Sequence, residues 1–337
     1  MSEYESLLLV SFGGPEKRED VMPFLRNVLK GRNVPEARME EVAQHYYMFD
    51  GVSPINEQNK RLIRAIENDF AENGIKLPVY WGNRNWHPML QDTLEQMKSD
   101  GIKRSLAFFT SGFSCYSGCR QYRENIIEAR NAIGPDAPEV DKLRVFFNHP
   151  KFIETCAVRL KQAIKETVSN WDQAVVLFTA HSIPDSMAVG CNYVKQLEEA
   201  SRLVAESSGA TNWKLVYQSR SGRPSQPWLE PDVCDYIEEV AEQGITEVVI
   251  MPIGFVSDHM EVIFDLDVEA RETCEKVGIK LTRAGTAGTH PLFVEMIREL
   301  VLERMNKTER PALGSLGPSH DVCPENCCLR ACRPEAT

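Results

Sequence analysis

What most limits how this chain can fold is a set of eight short, unbroken apolar runs, most of them closing on a Gly-, Ser-, Pro- or Asn-containing turn. They are LLLVSFGG (7–14), VYWGNRN (79–85), SLAFFTSG (105–112), RVFFNHP (144–150), AVVLFTAHSIP (174–184), KLVYQSRSG (214–222), EVVIMPIGFVSD (247–258) and KLTRAGTAG (280–288). Runs that are continuous rather than alternating belong to strands covered on both faces, and so to parallel sheets. Amphipathic stretches of helical period separate them, at 57–73, 88–99, 120–131, 151–168, 192–207, 231–243 and 290–305. This alternation specifies an α/β fold. Four runs fall on each side of AIKETVSNW (163–171), which predicts two similar doubly wound lobes, each a four-stranded parallel sheet flanked by helices, with a cleft between them. The expected partition is a first Rossmann-like lobe at 1–150, a second at 151–289, a helix at 290–310 packing across both, and a linker with a cysteine-rich tail at 311–337.

A length of 337 residues can bury two such cores, and composition narrows their use. Forty-nine acids against 38 Lys and Arg give a net charge of −11, which argues against nucleic acid or anionic lipid as partners. The opening MSEYESLLLVSF carries acids where a secretory signal needs bases, and no apolar run reaches the length of a membrane span. The expected location is therefore the cytoplasm, where ten cysteines point to metal or redox chemistry rather than a disulfide framework.

The stretch GFVSDHMEVIFDLDVEAR (254–271) puts Glu261, Asp265 and Glu269 on one helical face, within an arc of about 80°. Met260, Val262, Ile263, Phe264, Leu266 and Val268 occupy most of the remaining circumference, the pattern of a core helix. An Asp258-x-x-Glu261 capping box would account for Glu261 alone. Stacked like charges cost about 0.2–0.5 kcal/mol per pair, so helix stability does not explain the row. A solvated face and a cation path both remain open on this ground. TAHSIP (179–184) ends the fifth run with His181, a base or metal ligand near neutral pH, or else a hydrogen-bonded structural residue. A doubly wound order would hang His181 and Glu261 over one crevice. His259, two residues before Glu261, is expected to face elsewhere, and His290 to begin a helix before Pro291.

SFGGP (11–15) lacks both phosphate-loop patterns, so its glycines suit close approach to a flat ligand better than nucleotide binding. YSGCRQYREN (116–125) and YQSRSGRP (217–224) offer Arg, Tyr and Ser for substrate carboxylates, or a solvated loop. CPENCCLRAC (323–332) sets four cysteines in ten residues behind PALGSLGPSH (311–320). Thiolate ligation of zinc or an iron–sulfur cluster fits, although the spacing is not that of a zinc ribbon, and a remote further ligand is expected.

LLLVSFGGPE, GVSPIN, YWGNRNW, YSGCRQYREN, FFNHP, TAHSIP, YQSRSGRP with PWLEPDV, and GFVSDHMEVIFDLD together resemble the ferrochelatases, in the family's order from about residue 6 to 305. The resemblance implies insertion of Fe(II), as substrate, into a porphyrin in haem biosynthesis. Its wording is nearest to the coproporphyrin III ferrochelatases; protoporphyrin IX as substrate, and a non-catalytic haem or iron carrier, are the alternatives. It implies that His181 is the catalytic histidine, Glu261 its partner carboxylate, and Asp265 and Glu269 a ladder for a second metal. Phe12, Lys30, Arg32, Tyr46, Ser53 and Tyr122 match positions around the porphyrin. Phe12 stands where several relatives have an iron-ligating Tyr, so no phenolate ligand forms there. Some members carry a [2Fe–2S] cluster, and the matching ligands here are Cys156, Cys323, Cys332 and one of Cys327 or Cys328, with Cys328 preferred. The chain is expected to act as a monomer, meeting neighbouring haem-pathway enzymes only transiently.

Overall fold

The computed structural model describes residues 3–31, 34–223 and 225–330. Strands β1 (Ser6–Ser11), β2 (Val79–Asn83), β3 (Arg104–Phe109) and β4 (Glu139–Lys142) form a parallel sheet in the order β2-β1-β3-β4. A second parallel sheet holds β5 (Ala174–His181), β6 (Trp213–Gln218), β7 (Glu247–Met251) and β8 (Lys280–Arg283) in the order β6-β5-β7-β8. In each lobe the chain steps to one side of its first strand and then crosses to the other. The crevice at which such a sheet accepts ligands therefore lies over the ends of β1 and β3 and, in the second lobe, of β5 and β7. Helices flank both sheets, as their apolar period requires.

The central strands are the buried ones: every residue of β1 and β7 is buried, and all of β5 except His181. The edge strands β4 (EVDK) and β8 (KLTR) are charged, which protects an unpaired edge from further pairing. This corrects one expectation. The fourth strand is 139–142, not 144–150, because the apolar run there reports burial and not pairing. After Leu143 donates to the Ala107 carbonyl, the chain leaves the sheet edge and crosses between the lobes. Its polar groups are used otherwise: Arg144 binds Glu303 at 2.8 and 3.1 Å, and the Nδ1 of His149 accepts from Lys151 N at 3.3 Å, capping the helix Pro150–Thr167.

The largest core joins both lobes. The Phe146 ring lies 5.3 Å from Phe108 in β3, 5.3 Å from Phe152 in the helix Pro150–Thr167, and 5.8 Å from Phe293 in the helix Pro291–Asn306. That last helix, begun by His290 accepting from Leu292 N, also packs on the helix Ile55–Glu72 of the first lobe. The stretch that follows it is strapped down, not a free linker. Asn148 exchanges hydrogen bonds with the backbone of Leu313 and donates to the Gly317 carbonyl, Glu199 accepts from Ser315 N, and Arg120 donates to the carbonyls of Glu325 and Cys327. No helix among the described residues is long and apolar enough to cross a membrane.

Candidate active site

His181 is the last residue of β5, and its carbonyl accepts from the Tyr193 hydroxyl at 3.0 Å. Its ring Nδ1 lies 2.5 Å from the Ser182 carbonyl. A carbonyl only accepts, so Nδ1 carries the proton and Nε2 keeps the basic lone pair. The loop after β7 reaches this point because residue 254 is glycine. Gly254 N donates to the Thr179 carbonyl at 3.0 Å, and a Cβ there would sit 2.7 Å from the Ala180 Cβ and 2.8 Å from its Cα.

The capping box does not form. Asp258 is taken by Arg283 at 2.8 Å, and its backbone N–H and carbonyl each bond the Gln58 side chain at 2.9 Å, across the lobes. The cap is instead His259, whose Nδ1 accepts from Val262 N at 3.3 Å while its Nε2 lies 3.8 Å from Glu261. Glu261 is thus left free of the backbone, and His259, expected to face elsewhere, belongs to the site. Burial lowers the His259 pKa; Glu261 pulls it back up and His181 pushes it further down, which puts both within electrostatic reach.

From Ile263 to Glu269 the helix widens to π geometry, a form frequent at functional sites. Gln218, opposite His181 in the β5–β6 register, donates to the Glu261 carbonyl and to the Asp265 carboxylate, each at 3.2 Å. Ser219, held in the left-handed region at φ 60°, donates to the same carboxylate oxygen. Burial, then the neighbouring Glu261 and Glu269, push the Asp265 carboxyl up to about 7 against the Ser219 bond. Glu269 is exposed, so the row runs from solvent inward; its pKa is raised by desolvation, then by Asp232 and Glu272. Asp267 lies outside the row and pairs with Arg283, at 2.7 and 2.8 Å. Asp232, the cap of the helix Val233–Glu242, extends it, an acid that was not singled out from the sequence.

The first lobe supplies the facing wall. Phe24 meets Phe12, Tyr46 and Trp86 edge-on at 6.2, 5.8 and 6.3 Å. The Arg84 guanidinium lies 4.5 Å over Tyr122 and 5.7 Å from Phe12, steered by Asn125 at 2.7 Å. Tyr46 is tied electrostatically to the acid row, since burial and then Glu261 and Asp265 raise its phenol pKa. His45 stacks on Phe264 at 3.9 Å. Ser53 is buried beneath Gly14, where a Cβ would stand 2.6 Å from its own. Lys30 is exposed, and Arg32 lies outside the described residues. Arg84 and His45 were not singled out from the sequence, although Arg84 sits in the quoted YWGNRNW.

The Ferrochelatase family profile matches residues 4–305. The chain belongs to the ferrochelatase family. Among its relatives, a ferrochelatase of Rhodopirellula baltica is 63% identical over 97% of this chain and 93% of its own length. A coproporphyrin III ferrochelatase of Streptomyces coelicolor is 49% identical over 99% and 96%, and one of Nocardia farcinica 47% over 98% of each. In structure, SirB from Bacillus subtilis with Fe3+ superposes with a TM-score of 0.55 at 12% identity, over 90% of this chain and 98% of that one, which speaks for the fold alone. This ferrochelatase is accordingly a metal-chelating enzyme with the two-lobed chelatase architecture.

Of the cysteines matched to a cluster, Cys156, Cys323, Cys327 and Cys328 lie among the described residues. Cys156 is buried in the core helix Pro150–Thr167, its pKa raised by burial and touched otherwise only by Arg159. Cys119, in the turn after β3, is coupled electrostatically to Cys323. The coupling raises Cys119 and lowers Cys323, which also faces Lys142 and Arg123. Cys327 Sγ lies 3.5 Å from Cys328 Sγ, and Cys332 lies outside the described residues. A helix interior offered no signal that Cys156 would be sealed away, whereas Cys119 stands in the loop already noted as YSGCRQYREN.

Proposed function

We propose that this ferrochelatase inserts Fe(II) into coproporphyrin III, with His181 and Glu261 as its catalytic pair. The observation that carries the reading is the convergence of the His181 Nε2 lone pair and a Glu261 carboxylate free of the backbone and paired with His259 at the carboxyl ends of β5 and β7, beside an acid row that leads in from solvent. Metal insertion releases two pyrrole protons and strips water from the ion. His181, its tautomer fixed by Ser182, accepts a proton at Nε2; Glu261 and His259 pass charge outward. Glu269, Asp265 and Glu261 offer hard oxygen ligands that hold a divalent ion weakly enough to hand it on. The aromatic wall of Phe12, Tyr46 and Trp86 suits a flat macrocycle, and Arg84 joins Ser53, Tyr122, Lys30 and Arg32 as partners for propionates. Four propionates on coproporphyrin make more use of such anchors than the two of protoporphyrin. The cleft lies between a first lobe at 1–150 and a second at 151–289, bridged by the segment 290–310, with the tail from 311. The enzyme works as a cytoplasmic monomer in haem synthesis.

The tail suits a [2Fe–2S] cluster: buried Cys119 and Cys328 beside half-buried Cys323 and Cys327, with Lys142 and Arg123 to offset thiolate charge. When bound, such a cluster supplies a cross-link between tail and first lobe, and metal insertion calls on it for no electron.

The deciding test is anaerobic turnover of coproporphyrin III and protoporphyrin IX with Fe(II), in wild type and His181→Ala. Fast, His181-dependent loss of free coproporphyrin is expected. Preference for protoporphyrin would overturn the substrate, and porphyrin binding without turnover would favour a carrier.

A further inference from the structure

The second sheet is covered on two faces, and only one of them serves the acid row. Leu266 shares a core with Leu177 and Ile250, whereas Leu160 of the helix Pro150–Thr167 shares one with Phe178 and Val249. The end of β8 alternates in the same way: Arg283 turns its guanidinium to Asp267 and Asp258, and Thr282 accepts from Thr167. On the side of the helix Pro150–Thr167, at the carboxyl end of β8, lies a cavity of about 150 Å³. One wall is a single face of that helix, carrying Arg159, Gln162 and Glu166 two turns apart end to end, and the other is the backbone from 282 to 285.

Arg159 is the charge here that lacks a partner. Its side chain runs past Gly285, where a Cβ would stand 3.8 Å from its Nε and 4.0 Å from its Cζ. That Nε is buried and makes no hydrogen bond, and the guanidinium pairs with no carboxylate among the described residues. The other charges at the cavity are engaged. Glu166, the one acid of the lining, accepts from Gln162 at 3.1 Å, and Arg283 is held by its two aspartates. Nearby, Lys280 donates to the carbonyls of Glu166 and Thr167 at 2.9 and 3.1 Å. The loop that leaves the cavity adds donors: the N–H groups of Gly285 and Thr286 meet no acceptor among the described residues, and the Thr286 hydroxyl is buried without one. Buried polar groups are as a rule paired, so these call for a partner.

We propose that this cavity binds one small oxyanion of the phosphate class, gripped by the Arg159 guanidinium and the Gly285 N–H. A planar guanidinium presents paired donors that match two oxygens of such an anion, and glycine at 285 lets backbone and guanidinium approach the same point. The volume equals the share of about five waters, room for a tetrahedral anion with part of its hydration and too little for a nucleotide or a porphyrin. Glu166, seven residues along the helix, gives the cavity a negative end and so restricts it to a single compact anion. Because the cavity opens on the face of the sheet opposite the acid row, its ligand is neither the porphyrin nor the iron of the proposed reaction, and the site stands whether or not that reaction is the right one.

The test titrates full-length protein against inorganic phosphate at constant ionic strength in chloride buffer, with binding read from the phosphorus NMR line. One saturable site with a dissociation constant of about 1 mM is expected, the strength of a bidentate charge-assisted contact. Arg159→Gln should weaken it by at least about tenfold while metal insertion continues at the wild-type rate. Should that variant not fold by circular dichroism, Arg159→Lys, which keeps the charge and loses the fork, should still weaken phosphate severalfold. Glycerol phosphate titrated in parallel identifies the source: binding as tight as that of inorganic phosphate marks an oxyanion carried on a larger molecule, and binding of inorganic phosphate alone marks the free ion. Wild-type protein without a saturable site, or a site equally strong in the folded Arg159 variant, would overturn the proposal.

Discussion

Asp265→Asn is expected to make the metal-free enzyme more stable, and only at the upper end of the pH range. Burial first, then Glu261 and Glu269, raise this carboxyl from 3.8 to about 7. In the unfolded chain it ionises near its ordinary value, so between those limits folding must take up a proton, and above about 7 the folded state carries a charge it disfavours. At 1.36 kcal/mol per tenfold the full penalty is about 4 kcal/mol, and solvent at this partly accessible group brings it to about 2 kcal/mol. The neutral isostere escapes the penalty and keeps an acceptor for Ser219. For a chain of this size about 2 kcal/mol corresponds to a Tm rise of about 3 °C at pH 8. The gain should halve by pH 5.5, where the folded carboxyl is already protonated, and fade toward pH 4. Calorimetry of metal-free wild type and variant across that range measures it. The same variant should turn over more slowly when Fe(II) is limiting and recover with excess Fe(II). A stability difference that is absent at pH 8, or that does not change with pH, would refute the placement of Asp265 in a desolvated acid row.

Three further outcomes follow from the packing. Glu303→Gln leaves the buried Arg144 guanidinium without its counter-charge and should cost about 3 kcal/mol by denaturant unfolding, as loss of one partner from a buried pair does. Gly254→Val drives a side chain into Ala180 directly behind His181, so kcat should fall more than tenfold while the fold, followed by circular dichroism, persists. Gln58→Ala removes both hydrogen bonds to the Asp258 backbone and should cost about 1–2 kcal/mol in stability, with a higher KM for the porphyrin because the cleft walls lose their direct tie.

The fold was legible where burial and pairing coincide. β1, β5 and β7 are apolar because both faces are covered, and their runs announced them. β4 was missed for the opposite reason: an edge strand of the sequence EVDK has no apolar run to show, while the buried 144–150 run joins neither sheet. His181 and Glu261 could be placed over one crevice because that follows from strand order. What the sequence could not convey was competition between neighbours. Asp258 is a good cap by type, but Arg283, 25 residues away, outbids the helix for it and leaves the task to His259. The course of the tail was hidden for the same reason, since it depends on a strap held by Asn148, Glu199 and Arg120, contacts more than 100 residues apart.

The ring of Phe146 touches the first lobe, the second lobe and the C-terminal helix at once, and the aromatic core around it has no seam. Two lobes grown into one another cannot swing apart on a hinge in the manner of proteins that close around a ligand. A large flat product must leave past side chains on the rim, and the helix Glu36–Tyr47, with His45 laid on Phe264 and Tyr46 beside the acids, is the rim element placed to yield. Turnover in this enzyme would then be paced by one helix shifting on a rigid body, and melting should register as a single transition of the whole chain rather than two.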